Sequence, residues 1–93
     1  MSPAANYTTD QIRAEIKKLI ARVTEREPEE ISDEAHYMEE LGVDSLMAME
    51  VMIAVDKKFK IDIPEEEFNQ ATNVNASVAL VEKWLAEHAN ATA

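Results

Sequence analysis

Ser45 is a lone hydroxyl set between an acidic loop and an apolar run, in the stretch EELGVDSLMAMEVMIAV from Glu39 to Val55. Three roles are open to it. As an N-cap or first-turn residue it does no chemistry, and position alone favours that role. As a nucleophile it needs a base and an oxyanion hole. His36 and Asp44 are near in sequence, yet no G-x-S-x-G elbow surrounds Ser45 and no glycine-rich loop supplies the hole, so no catalytic residue is expected. As a site of covalent modification it suits a phosphodiester, because a helix N-terminus favours negative charge by about 0.3–1 kcal/mol.

The other residues with chemical potential are sparse. His36 and His88 are far apart and share no ligand spacing. The PEEEF stretch with Asp62 lacks the pattern of a calcium loop and reads as a solvated acidic face. There is no cysteine, which excludes disulfides and thiolate metal sites. No metal site is expected.

These residues sit in a chain of 93 residues with a net charge of −10, the length of one small domain. Such a charge repels a phosphate backbone, so nucleic acid is not an expected partner, whereas a basic protein surface is. No apolar run has the length of a membrane span and no signal segment leads the chain, so membrane partners are not expected and a soluble cytoplasmic protein is. One glycine and three prolines among 46 % apolar residues favour long helices.

Four helices are expected to position Ser45, and no sheet. Thr8 with Gln11 forms a capping box, and Ile12, Ile16, Leu19, Ile20 and Val23 make one stripe ended by Pro28. Residues 28–43 then form a long connection, with a helical turn near Glu34–Glu40 and Ile31, Tyr37, Met38 and Leu41 pinning it to the core. Gly42 closes it. The second helix is expected from Ser45 to Phe59, capped by Asp44, with Lys57, Lys58 and Lys60 opposing its C-terminal dipole. A short third helix follows Pro64. Asn73 caps a fourth, striped by Val74, Val78, Val81 and Leu85, with Leu80 and Trp84 widening the stripe. The domain is expected over residues 8–88, with flexible ends at 1–7 and 89–93. The fold class is all-α, a small four-helix bundle of three main helices and one short one.

The second helix is more apolar than one buried face requires. Ala48, Val51, Met52, Val55 and Phe59 form the expected core stripe. Leu46, Met49 and Ile53 form another line, rotated away, beside Asp44, Glu50 and Asp56. Apolar patches rimmed by charge mark partner surfaces, and methionine suits them through its flexibility.

The run LGVDSL, Leu41 to Leu46, resembles the phosphopantetheine attachment motif of acyl carrier proteins. The surroundings are similar too: an amphipathic helix, a long acidic loop, a helix ending in phenylalanine, IDIP, a short helix and a last one. The similarity covers roughly residues 8–86. It implies that a phosphopantetheinyl transferase attaches 4′-phosphopantetheine from coenzyme A to Ser45, flanked by Asp44 and Leu46. The arm's thiol would hold acyl groups as thioesters, and part of the core would open to receive them. It further implies a free-standing, non-catalytic monomer serving acyltransferase- and ketosynthase-type enzymes through basic docking surfaces. The docking face would comprise Asp44, Met47, Met49, Glu50, Ile53 and Asp56, with Leu46 as an apolar contact. Fatty-acid and polyketide pathways both fit. Bacterial fatty-acid carriers usually have an acidic residue where this chain has Met47, and stay acidic where it has Lys57, Lys58 and Lys60. An aminoacyl or aryl carrier, and an unmodified helical adaptor, are the alternatives.

Overall fold

The structure, a computed structural model, describes residues 7–91, with side chains through residue 87. It contains four α-helices: α1 Thr9–Thr24, α2 Ser45–Phe59, α3 Glu65–Gln70 and α4 Val74–Ala91. No strand occurs among the described residues. The expected flexible ends lie mainly outside them, although Tyr7 is ordered against the core and α4 runs to Ala91.

Local signals set the helix starts. Thr8 Oγ1 accepts from Gln11 N–H and Gln11 Oε1 accepts from Thr8 N–H, the two halves of a capping box. Asp44 caps α2 and Asn73 caps α4 through Ala76 N–H at 2.8 Å. The ends differ from expectation in one respect. α1 stops at Thr24, before Pro28, because Glu25 turns left-handed with φ 57°. Pro28 instead begins a single 3₁₀ turn, Pro28–Glu30, where its missing N–H costs nothing.

The helices bury one stripe each. Ile12, Ile16 and Ile20 of α1 meet Val51, Val55 and Phe59 of α2 and Val74, Val78 and Val81 of α4. Each such side chain contributes about 1.5–3 kcal/mol on leaving water. Tyr7 adds its ring edge-on to Phe59 at 4.8 Å between centroids.

Over Glu34–Glu40 the long connection makes one helical turn, His36–Glu40, and no longer helix. Side-chain and backbone bonds close it together. Glu40 Oε2 accepts from His36 N–H at 2.9 Å, and His36 carbonyl accepts from Glu40 and Leu41 N–H. Ile31, Tyr37 and Leu41 are buried as expected, joined by Ala35 and Val43. Met38 is not: it stands 59 % exposed, because the turn that points Tyr37 inward points its neighbour out. Asp33 ties the connection to α1. Lys17 Nζ lies 2.8 Å from its Oδ1 and Arg13 Nη1 at 3.5 Å. The ammonium is close without good hydrogen-bond alignment, so the link is an ion pair. The Lys17 contact chiefly, then Arg13, holds the Asp33 carboxyl below its ordinary range, against partial burial.

Tyr37 reaches furthest. Its N–H donates to Thr72 carbonyl at 2.8 Å, and its hydroxyl bonds Ser77 Oγ at 2.7 Å inside the core. Burial pushes the phenol up to about 12, partly offset by that bond. Ser77 is itself buried.

Tyr37→Phe strands the Ser77 hydroxyl and should cost about 1–3 kcal/mol in urea unfolding. Adding Ser77→Ala should recover most of it. A lowered folded pKa makes the Asp33 contribution complete above its ordinary value and lost as pH falls through the folded one. Asp33→Asn should therefore unfold more easily than the parent at neutral pH, with the gap closing in acid.

Candidate functional site

Gly42 is the only glycine of the chain and has φ +71°, the left-handed region that side chains avoid. That turn brings residues 43 and 44 to the head of α2. Val43 goes inward, its N–H donating to Tyr37 carbonyl at 2.9 Å. Asp44 stays outside in extended geometry, and its Oδ1 accepts from Met47 N–H at 2.8 Å. The cap is therefore Asp44, which leaves Ser45 as the first helical residue, exposed to solvent.

No hydrogen bond joins Ser45 to His36 among the described residues. His36 Nδ1 accepts from Glu39 N–H at 3.2 Å, and its Nε2 lies 3.7 Å from Glu39 Oε2. Both ring nitrogens face Glu39, so no triad forms around Ser45. Nor is there a group of three potential metal ligands among the described residues. The His88 side chain lies outside them.

A groove of about 160 Å³ opens beside Ser45. Asp44, Ser45, Ala48, Met49 and Met52 of the α2 head and helix form one side, and Glu65, Phe68 and Asn69 of α3 the other, with Met38 at the edge. Ala48 and Met52, expected in the core stripe, are half-buried: they pack against the core and also line the groove. The physical reason is α3: its six residues are too short to cover α2 along its whole length. A second, smaller space of about 60 Å³ adjoins the groove, lined by Ile20, Tyr37, Val43, Val51, Ala71 and Thr72. Sequence reasoning missed the α3 side. Glu65, Phe68 and Asn69 recur at spacings of three and one, a helical face that could have been read.

The second α2 stripe is outward. Leu46 is 67 %, Met49 46 % and Ile53 53 % exposed, with Glu50 beside them. The other two candidates for this face are placed differently. Met47 is half-buried and packs on the core. Asp56 is half-buried, and its Oδ1 accepts from Ile63 N–H at 3.2 Å, holding the exit from α2. Burial, chiefly, and the nearby Asp62 charge raise the Asp56 carboxyl, against the Ile63 bond.

Trp84 is half-buried and lines neither space. Its Nε1 donates to Glu67 Oε1 at 3.1 Å, as does Lys83 Nζ, which joins α3 to α4. The Trp84 bond first, and Lys83 next, hold the Glu67 carboxyl below its ordinary range.

The site can therefore offer an exposed hydroxyl at a helix N-terminus, with a mixed apolar groove alongside. A phosphodiester-linked arm fits it: the hydroxyl is accessible, the helix dipole favours the charge, and the groove gives the arm a surface. No helix among the described residues is long and apolar enough to cross a membrane.

Comparison with known proteins bears on the same residues. Residues 14–81 match the family described as "Phosphopantetheine attachment site". The chain is 39 % identical over 79 residues to an acyl carrier protein of Rickettsia bellii, covering 85 % of this chain and 87 % of that protein. It is 35 % identical over 68 residues to an acyl carrier protein of Wolinella succinogenes, covering 73 % and 90 %. It is 30 % identical over 80 residues to the "Polyketide-8 synthase acyl carrier protein 2" of Streptomyces avermitilis, covering 86 % and 92 %.

Asp56 generates a prediction of opposite sign to Asp33. A raised folded pKa means the charged form weakens the fold above that pKa, and the cost is relieved as pH falls through it. Asp56→Asn, which still offers an oxygen to Ile63 N–H, should be more stable than the parent at neutral pH. The difference should vanish in acid, as read by urea midpoints across pH.

Proposed function

The chain belongs to the phosphopantetheine-attachment family of acyl carrier proteins, a non-catalytic family, and on that premise we propose that Ser45 is the attachment residue. The exposed Ser45 hydroxyl in the first turn of α2, beside a groove that leads toward the core, is the observation that carries this reading. A phosphopantetheinyl transferase is the implied partner. In the transfer the Ser45 oxygen forms a bond to the pantetheine-bearing phosphorus of coenzyme A, the P–O bond of the pyrophosphate breaks, 3′,5′-adenosine bisphosphate leaves, and the hydroxyl proton passes to the transferase. When bound, the arm supplies the thiol that a cysteine-free chain lacks and holds acyl groups as thioesters.

The chain's own residues do the rest. Asp44 fixes the head of α2 and thereby the direction of Ser45. Met38, Met49 and Met52 give the groove an adaptable apolar wall. Leu46, Met49, Glu50 and Ile53 present a face of apolar contacts beside acidic charge, suited to the basic docking surfaces of acyltransferase- and ketosynthase-type enzymes. Met47 is placed on the core side of that face and Asp56 at its far end, so we give them the lesser part in docking.

We place the carrier with fatty-acid or polyketide-type synthesis in the cytoplasm, and within that range with polyketide or specialised carriers. Met47 supports this, as do Lys57, Lys58 and Lys60. Lys57 and Lys58 end α2 with positive charge, and Lys60 is its left-handed C-cap. The polyketide synthase carrier among the relatives supports it as well.

Incubation of the chain with coenzyme A and a promiscuous transferase should add the mass of one phosphopantetheine, and Ser45→Ala should abolish the gain. A folded parent chain that gains no mass would show an adaptor without a prosthetic group. Glu50→Lys should leave the melting curve unchanged while slowing association with a partner enzyme by about three- to tenfold at low ionic strength, and by less in high salt. Equal rates for variant and parent would move the docking face elsewhere.

A further inference from the structure

Leu46, Glu50, Ile53 and Lys57 follow one another along α2 at spacings of four, three and four, and all are exposed. They form one stripe of the helix, and Lys60 is exposed just past its end. The sign of the charge changes along that stripe. Glu50 stands nearer Ser45, and Lys57 follows two turns later, about 10 Å along the axis. Acidic residues outnumber basic ones 19 to 9, yet neither Lys57 nor Lys60 has an ion-pair partner among the described residues. Lys17, Lys18, Lys58 and Lys83 all have one. Lys58 turns to Glu15 of α1 at 3.9 Å. Asp56, the carboxylate next to Lys57, is taken up by Ile63 N–H. The helix dipole suits Lys57 and Lys58 in the last turn. It does not call for a lysine at position 60, where φ is 57° and glycine or asparagine is the less strained choice.

We propose that Lys57 and Lys60 make the docking face select a partner enzyme of mixed charge. The inference rests on the carrier reading, with α2 as the docking helix. Such a partner sets a cation opposite Glu50 and an apolar surface against Leu46 and Ile53. About 10 Å beyond the cation it sets a carboxylate against Lys57 and Lys60. An enzyme whose docking surface is basic throughout meets like charge at that end and is turned away, although the acidic excess of the chain attracts it from a distance. The two lysines thus discriminate among enzymes that accept the same arm.

The test follows acyl transfer from the full chain, its arm loaded at Ser45, to two forms of one ketosynthase-type enzyme. One form is basic throughout its docking surface, and the other carries a glutamate about 10 Å along that surface from the basic group that meets Glu50. Activity of each form with a free acyl pantetheine normalises the rates. At low ionic strength the parent chain should serve the glutamate form with a kcat/KM about three- to tenfold higher. The Lys57→Glu, Lys60→Glu double variant should reverse that preference, and both differences should shrink in high salt. The Arg22→Glu, Arg26→Glu double variant changes the net charge equally, at exposed arginines in and after the last turn of α1, and should keep the parent's preference. Melting reports whether each variant is folded. Should the lysine reversal not fold, Lys57→Gln with Lys60→Asn decides, and should erase the preference. A folded lysine variant with the parent's preference would overturn the mixed-charge face alone, as would an equal change in the arginine variant or a parent without preference. Failure of the parent to take an arm at Ser45 would instead overturn the carrier reading, and this inference with it.

Discussion

Tyr37 holds three parts of the molecule in register at once. Its amide bonds the carbonyl of Thr72 in the turn between α3 and α4, its hydroxyl bonds Ser77 in α4, and its carbonyl receives Val43 N–H two residues before Ser45. A connection of this length has a large entropy to lose on ordering. Most of its backbone has no helix or strand to satisfy it, so the order must come from a few strong anchors. Tyr37 provides them from inside the core, where each bond is shielded from water. The exposed hydroxyl of Ser45 is thus placed by a buried one several residues away.

The second constraint is economy of surface. With three main helices and one short one, α2 cannot be covered all round, and the fold divides it. Val51, Val55 and Phe59 complete the core, Ala48 and Met52 face a groove, and Leu46, Met49 and Ile53 face solvent. A helix with apolar residues on so many sides would be a solubility liability if neutral. The acidic excess of the chain keeps it dispersed while leaving the face open to a basic partner. One element therefore presents a core face, a groove face and an outward face, with Met49 at the border of the last two.

Most of this was legible before any coordinates. Helix starts at Thr8, Asp44 and Asn73 follow from short polar side chains preceding apolar periodicity, a local signal. The outward stripe on α2 follows from counting more apolar residues than one face can use. The connection was not legible in the same way, because its turns are set by contacts with Thr72 and Asn75, far off in sequence. Met38 turns outward against expectation for that reason, since a hydrophobic residue in a turn carries no periodicity to say which way it points. Met52 fitted the core stripe by spacing, and only the shortness of α3 turns it into a wall of the groove. Asp56 read as surface charge and proved to be holding a backbone amide at the helix exit.

Tyr7 has a mechanical consequence. Its ring rests on Phe59 and its hydroxyl lies 3.5 Å from the Lys58 carbonyl, so the N-terminal end of the described chain is fastened at the C-terminal end of α2. Ser45 opens that same helix, and fifteen helical residues span about 22 Å. Tyr7 itself is thus anchored about a full helix length from the hydroxyl. The packing of Tyr7 therefore braces the far end of α2 and leaves the head of the helix, with Ser45, clear of it.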